Sequence, residues 1–413
     1  MLPITKLHTK NILTLKKPLK ILEQNLGIKL MKNYKIMRKN IFVNATAATQ
    51  GGALTILKQF LEGTSIYSNK NIHYYVFCSL EELKIYEREN IRIINNIKGK
   101  KRIDRIKWDL WGLKKWGKKK GNSADLIISF QNAGVCYYKD IKQLIYLHQS
   151  IPFTKNINWN FFNKNERFLW FYKNVYKKII KYSLKNNSYI VVQAEWMKNA
   201  VIKQFNWNPK KISVIKPNVE NISVEKVPKI DFKDDKFHIF YPANNAVYKN
   251  HELIINALKY IKDSKPEIFE NLIVHFTFDK DLSNNRNVEL INLVKKLQVN
   301  EHIKFEGKIS YERVLSFYKS CDLLVFPSYI ETFGLPLIEA ASFGLPIFAA
   351  NMNYAREVIG DYNGVIFLNY QDSKLWAENI IDLHSKRIKY KPYNVNYKTS
   401  WKDFFKLIDE LIV

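Results

Sequence analysis

The sequence predicts two α/β domains, each a doubly wound parallel sheet flanked by helices. Three observations carry this. The chain has 413 residues, beyond the size at which one hydrophobic core usually stops growing, so two domains are expected. Short apolar runs alternate with longer stretches of helical period, the pattern of strand-helix units that build parallel sheets. The alternation also comes in two sets, separated by a polar stretch over 221–235 that lacks periodicity and reads as a linker.

Taken in order, residues 1–38 read as a basic extension, with Met31 as a second possible start beside Met1. An amphipathic membrane anchor is the alternative there, interrupted by Pro18. The first domain, 39–220, has strands expected at NIFVNA (40–45), HYYVFCS (73–79), DLIISF (125–130), QLIYLH (143–148) and YIVVQA (189–194). Helices fill gaps between them, notably GALTILKQFLEG and ERFLWFYKNVYKKIIKYSLKN. In the second domain, 236–395, strands fit FHIFYPA, LIVHFTF, IKFEG, LLVFP, PIFAA and GVIFL, with helices such as HELIINALKYIKD between them. The last stretch, 396–413, has the spacing of an amphipathic helix able to pack on either domain.

Composition narrows the class. With 46% hydrophobic residues, global disorder is excluded. The 66 Lys+Arg against 38 Asp+Glu give a formal net charge of +28, which implies a polyanionic partner: nucleic acid, an anionic membrane surface or phosphorylated substrates. Cys78, Cys136 and Cys321 lie far apart, with no C-x-x-C pair and no neighbouring histidines at metal-ligand spacing. A reducing cytoplasm, no disulfide and no metal centre are therefore expected. No apolar run approaches the ~18 residues that span a bilayer, so a soluble or peripherally attached protein is expected.

The stretch ETFGLPLIE (331–339) places two carboxylates eight positions apart around a turn. A strand is expected to end at Pro327, a loop to carry Glu331, and Pro336 to sit in the first turn of a helix that ends by Gly344. A helix N-terminus beyond a parallel strand presents backbone N–H groups and partial positive charge, a ready phosphate site. Two carboxylates repel phosphate, so they must face other parts of a ligand. A nucleoside diphosphate sugar carries hydroxyls at both ends of its diphosphate, which matches amides for the phosphates and acids for the ribose and sugar hydroxyls. Alone, the pattern also fits a helix-dipole contact by Glu339 and a solvated Glu331.

This stretch resembles the E-x7-E element of the retaining glycosyltransferases of family 4, which have the two-domain GT-B fold. Further matching segments follow in order after residue 39. NATAATQGGALTILKQF is similar to the N-terminal glycine loop, with Gly51 and Gly52 at the first strand-to-helix turn. YLHQSIPF matches the strand ending in histidine, here His148. VVQAEWMKNAV, VIKPNVE, YPANNAVYKNHELIINAL and GKISYERVLSFYKSCDLLVFPS complete the series.

The resemblance implies that Glu331 binds donor-sugar hydroxyls, the backbone at Phe333, Gly334 and Leu335 contacts sugar or phosphate, and Glu339 holds the ribose diol. It implies that Lys249 neutralises the diphosphate, helped by amides at Gly52, and that His148 positions the sugar. The reaction it implies retains anomeric configuration and uses no metal or other cofactor, the departing diphosphate being stabilised electrostatically. One departure is Asn244, where many family members carry an arginine; it joins the donor-binding set, with the second phosphate-binding cation either missing or supplied from elsewhere. Arg356 is read as either a surface residue or a contact from the far side.

Two stretches interleave aromatics with basic residues: 99–122, with Trp108, Trp111 and Trp116, and 158–178. Tryptophan beside lysine suits a lipid-water interface, so these tryptophans are assigned to a membrane or acceptor surface. The alternative is that the rings pack helices onto the sheet while the lysines stay solvated. Single-stranded nucleic acid also suits basic aromatic grooves, but no nucleic-acid motif is present and no nucleic-acid partner is expected. An epimerase or phosphorylase of the same fold leaves the basic surface without purpose. The sequence reading is thus a cytoplasmic transferase, peripheral at the inner face of the membrane, that moves a sugar from a UDP- or GDP-sugar to a lipid-linked oligosaccharide in bacterial surface-polysaccharide synthesis.

Overall fold

A computed structural model describes residues 38–49, 51–95, 104, 107–135, 138, 140–155, 157–219, 222–393 and 401–412. Domain 1 holds a seven-stranded sheet of β1 (Lys39–Asn44), β2 (Ile72–Phe77), β3 (Ile91–Ile94), β4 (Leu126–Ser129), β5 (Lys142–Leu147), β6 (Ser188–Val192) and β7 (Ile212–Val214). Their order is β3-β2-β1-β4-β5-β6-β7 and every pairing is parallel. Domain 2 holds a six-stranded sheet of β8 (Phe237–Tyr241), β9 (Leu272–Phe276), β10 (Ile303–Phe305), β11 (Leu323–Phe326), β12 (Ile347–Ala350) and β13 (Val365–Leu368), ordered β10-β9-β8-β11-β12-β13 and again parallel.

These strands are apolar runs rather than alternating ones because helices cover both faces of a parallel sheet. Every residue of β4, β8 and β9 is buried. The main helices are α1 (Gly51–Tyr67), α2 (Leu113–Lys120), α3 (167–183, an α-helical turn Arg167–Phe171, a π-helical turn Tyr172–Tyr176 and the α-helix Lys177–Ser183) and α4 (Glu195–Phe205) in domain 1. Domain 2 has α5 (His251–Ser264), α6 (Asn285–Lys296), α7 (Tyr311–Ser320), α8 (Leu335–Ser342), α9 (Asn353–Ile359) and α10 (Ser373–Lys386); α11 (Trp401–Ile412) closes the chain.

The eleven expected strands all form, within two or three residues of their expected ends. The structure adds β3 and β7, only four and three residues long, too short for periodicity to mark. The linker is less independent than its polarity implied. Val224, Val227, Ile230 and Phe232 pack on the core of domain 2. The Lys319 ammonium donates to the carbonyls of Val224 and Val227 at 2.8 and 2.6 Å. The linker is thereby docked along domain 2.

The final helix settles on domain 1. Trp401, Phe404, Phe405, Ile408 and Leu411 face one side and are buried. Phe405 stacks on Phe60 of α1 at 5.6 Å, Phe404 lies edge-on to the same ring at 6.0 Å, and the Trp401 indole donates to Gln59. The chain therefore returns to domain 1 after completing domain 2, a second covalent tie between them. Cys78 and Cys321 are buried free thiols, and Cys136 lies outside the described residues, as does the expected extension before Arg38. No helix among the described residues is long and apolar enough to cross a membrane.

Phe404→Ala is expected to destabilise the protein by about 3 kcal/mol or more, because it empties a fully buried ring site. Urea denaturation measures this; a loss under about 0.5 kcal/mol counts against the helix as part of the domain 1 core.

Candidate active site

In each sheet the strand order reverses beside the first strand, between β1 and β4 in domain 1 and between β8 and β11 in domain 2. Loops leaving the carboxyl ends of strands at such a point diverge, and the crevice between them is where ligands bind in this class of sheet. In domain 2 the two loops are 242–250, after β8, and 327–334, after β11. The first ends in a turn, Val247–Lys249, followed by Asn250 at φ 59°. The Asn250 amide donates to Tyr370 O at 2.7 Å, and the Tyr241 hydroxyl donates to Lys249 O at 2.7 Å. The second loop is stitched to the first by Tyr329 N donating to Tyr248 O at 3.1 Å, and anchored below by the Tyr354 hydroxyl on Ser328 O at 2.6 Å.

These constraints place the Lys249 ammonium against the Glu331 carboxylate in an ion pair, with the side chains only 14% and 18% exposed. The rings of Tyr248 and Phe326 lie 5.6 and 5.8 Å from the same ammonium. Burial alone would push the Lys249 pKa down, but the opposing charge of Glu331 holds it above its usual value. A buried pair contributes little net stability, whereas either partner left alone is costly. The pair is therefore poorly solvated and ready to exchange its partners for a ligand of matching chemistry.

After Glu331 the chain turns through Gly334 at φ 89°, where an added Cβ would meet Leu337 and Tyr354 at 3.2 Å. Glycine is required there by conformation and by space. Helix α8 follows with Pro336 in its first turn and no side chain capping it. Its amino end, with Phe333, Gly334 and Leu335, faces the crevice with the partial charge suited to an anion. Glu339 lies one turn further, and its two carboxylate oxygens accept from the Tyr311 and Tyr318 hydroxyls at 3.3 and 3.0 Å. Tyr318 is buried and its phenol pKa is raised well above normal, by burial and then by Glu339, so it stays a donor.

Domain 1 brings His148, at the end of β5. Asn132, held at φ 63°, accepts from His148 N and Gln149 N at 2.7 and 2.9 Å and fixes the turn. Burial lowers the His148 pKa to about 4, so the ring is neutral, and its Nδ1 has no hydrogen-bond partner among the described residues. The Thr332 hydroxyl, next to Glu331, donates to His148 O at 2.7 Å across the domain boundary. Beside it, the Trp196 indole donates to Thr332 O at 2.9 Å. The Glu357 carboxylate accepts from Glu195 N and Trp196 N at 2.7 and 2.9 Å, so a residue of domain 2 caps a helix of domain 1. A cavity of about 680 Å³ opens between the domains here, lined by Trp196, Lys203, Tyr329, Glu331 and Arg356 among others.

The expected site residues thus separate into groups. Glu331 and Lys249 meet, His148 joins them through Thr332, and Phe333, Gly334 and Leu335 begin α8. Gly51, at φ 58°, and Gly52 open α1, both exposed and with no heavy atom within 4 Å of an added Cβ, so a ligand can approach their backbone closely. Asn244 is an exposed turn residue whose side chain accepts from Ala246 N. The cation packed against that loop is instead Arg286, which donates to Asn245 O at 3.3 Å and is engaged by Glu252 and Glu289. Arg356 lines the far side of the cavity, stacked over Phe367 at 4.6 Å and bonded to Asn351.

Two of the three tryptophans assigned to a surface turn inward. Trp116 packs edge-on against Phe42 and Phe77 at 5.5 and 4.9 Å, and Trp108 lies 5.3 Å from Phe77. The underside of β1 and β2 is apolar and the α2 segment covers it; only Trp111, 51% exposed, stays outside. Thr332, Trp196, Arg286, Tyr318 and Glu357 escaped the sequence reading because isolated polar residues carry no periodic signal. Among the described residues no group of three His, Cys, Asp or Glu is arranged to hold a metal ion.

Residues 224–399 match the family described as Glycosyl transferases group 1. The O-antigen chain mannosyltransferase RfbU of Salmonella typhimurium is 26% identical over 225 residues. That match covers 54% of this chain and 59% of RfbU, less than two thirds of the relative's length. The sucrose-phosphate synthase of Thermosynechococcus elongatus superposes over 91% of this chain and 98% of its own, with a TM-score of 0.67 at 14% identity. Anabaena HepE, crystallised with UDP-glucose, superposes over 84% and 91% with a TM-score of 0.58 at 15% identity. These likenesses and the two facing parallel sheets show the GT-B fold.

The neutral His148 sets a pH dependence. In the unfolded chain a histidine protonates near pH 6.5, while in the fold His148 resists protonation to about pH 4. Between these values the unfolded state binds more protons, so the stability from this group is complete above pH 6.5 and is lost as pH falls toward 4. His148→Gln is expected to lose less stability than the parent on acidification to about pH 5, by on the order of 1 kcal/mol. Parallel urea-derived stability curves for the two proteins would contradict it.

Proposed function

We propose that the chain is a retaining glycosyltransferase that transfers a sugar from a nucleotide-sugar donor to a lipid-linked oligosaccharide acceptor in the synthesis of a bacterial surface polysaccharide. The observation that carries the proposal is the buried Lys249–Glu331 pair shortly before an uncapped helix, with Glu331 lining a cavity between two domains. A nucleoside diphosphate sugar satisfies each part separately. The diphosphate takes the Lys249 ammonium and the amino end of α8, the sugar hydroxyls donate to Glu331, and the ribose diol donates to Glu339. Support for the donor class comes from HepE, whose crystals hold UDP-glucose, and for the pathway from RfbU, named for O-antigen mannosyl transfer.

Donor entry separates the ion pair and leaves each member better matched than before. As the glycosidic bond to the diphosphate breaks, negative charge builds on the leaving phosphate, where Lys249, the α8 dipole and the amides at Gly51 and Gly52 stabilise it. The same phosphate oxygen accepts the proton of the acceptor hydroxyl attacking from the same face, so configuration at the anomeric carbon is retained. His148, neutral and oriented by Asn132, positions the sugar at the seam. No cofactor or metal takes part in this scheme. The domain contacts at Thr332, Trp196 and Glu357 shield the centre from water, which competes with the acceptor. The enzyme works in the cytoplasm, at the inner face of the membrane that carries its acceptor.

Thermal shifts with UDP, GDP, ADP, CDP and dTDP are expected to show selective stabilisation by one base. Glu339→Ala should lose that response, whereas Glu331→Ala should keep it and lose transfer by at least about 100-fold. Equal responses of the parent and Glu339→Ala, or full transfer by Glu331→Ala, would overturn the assigned roles.

A further inference from the structure

The α3 segment of domain 1 has two faces of opposite purpose. Its inner face is built into the seam: Leu169 is buried with Ile151, Trp159 and Ile330, and Trp170 and Tyr172 pack beside Val247, Tyr248 and Tyr329. Those last three residues belong to the loops that carry Lys249 and Glu331. The outer face, with the turn before it, exposes Phe161, Phe162, Phe168, Phe171, Ile179 and Tyr182, at 44, 84, 41, 37, 42 and 75%. Six large apolar groups are exposed within 22 residues, a higher density than the scattered exposed apolar residues that most surfaces carry.

The charge along this segment is mostly positive, Glu166 and the Glu289 carboxylate that accepts from Asn165 being the acids beside it. Helix α3 contains Arg167, Lys173, Lys177, Lys178 and Lys181 and no acidic residue, and Glu166 is the one acid between Asn158 and Lys185. Burial and then repulsion from Lys173 and Lys181 lower the Lys177 pKa, so this row of cations is crowded. Lys178 and Lys181 are exposed beside Ile179 and Tyr182. Rings that prefer an apolar medium, set among cations that prefer anions, match the headgroup zone of an anionic bilayer, where both preferences are met within one plane. A soluble polyanion satisfies only the lysines, and an apolar protein surface leaves the lysines desolvated.

We propose that the outer face of 161–182, rather than the Trp108–Trp116 segment, is the surface by which this protein docks on anionic phospholipid membrane. The proposal deepens the membrane-linked acceptor reading given above and rests on it for its purpose, not for its physical basis. Docking there places the bilayer behind the same apolar cluster that supports the loops of Lys249 and Glu331. A sugar carrier anchored in the lipid then enters the cleft without leaving the membrane.

The test is co-sedimentation of the full chain with vesicles of phosphatidylcholine containing roughly 30% phosphatidylglycerol, against pure phosphatidylcholine, at low and high salt. The parent is expected to bind the anionic vesicles and to release partly as salt rises. Phe162→Ser with Phe168→Ser should lower the bound partition by at least about tenfold. Lys178→Glu with Lys181→Glu should lower it by a similar factor, since each cation near the surface contributes about fivefold. Trp111→Ser should change little.

Failure of the parent to bind, or equal binding by the parent and both double variants, overturns the proposal and leaves the transferase reading intact. The second result would assign binding to another segment, including the basic residues before Arg38. Concentration-dependent dimers without vesicles, abolished by the phenylalanine variant, would assign the face to a second copy and also overturn it. Nucleotide thermal shifts on the same variants separate the two readings: their absence in every protein defeats the transferase and leaves vesicle docking standing.

Discussion

Two opposite charges removed from water, Lys249 and Glu331, are the constraint around which domain 2 is arranged. Neither tolerates burial alone, and their attraction does not exceed the cost of desolvation by much. The loops that hold them must therefore be fixed by other means. Tyr241 from β8 and Tyr354 from α9 reach the backbones of the two loops, and Tyr329 N ties one loop to the other. Phenols in a core need partners, and here the partners are the carbonyls that determine where a ligand can bind. The pair is best understood as the resting state of a binding site, held ready because its surroundings are rigid.

The seam between domains follows from the same loop. Thr332 directly follows Glu331 and makes contacts in both directions, donating to His148 O and accepting from the Trp196 indole. Glu357 adds a helix cap that one domain supplies to the other. Beside them Ile151, Trp159 and Leu169 of domain 1 are buried with Ile330 of domain 2, so the seam also uncovers apolar surface if it opens. The two chain crossings, at the linker docked on domain 2 and at α11 docked on domain 1, keep the partners in register when it does.

Much of this was legible in the sequence because parallel sheets declare themselves. Runs such as LIVHF and LLVF are buried on both faces, so their apolarity is continuous, and helices between them carry the complementary period. The E-x7-E spacing located Glu331 and Glu339 because a strand end, a glycine turn and a proline at a helix start are local events. What was hidden depends on distance in space. No local signal ties Thr332 to His148, 184 residues away, or Tyr318 to Glu339. Nor does a run of tryptophans and lysines say which rings face the sheet. Trp108 and Trp116 went inward because the underside of β1 and β2 needed covering, whereas the phenylalanines of 161–171 stayed out because the inner face of α3 was already filled by Leu169, Trp170 and Tyr172.

That filling has a mechanical consequence. The helix whose outer face carries the exposed rings contributes side chains to the cluster that holds Tyr248 and Tyr329, so displacement of one face is felt by the other through close-packed contacts. The π-helical turn at Tyr172–Tyr176 lies where these demands meet, widening the helix so that Tyr172 packs against the seam while the Tyr176 hydroxyl reaches Gln131 O at 2.7 Å. One local irregularity thus serves two contacts at once, the packing of Tyr172 beside the active-site loops and the hydrogen bond of Tyr176 to Gln131.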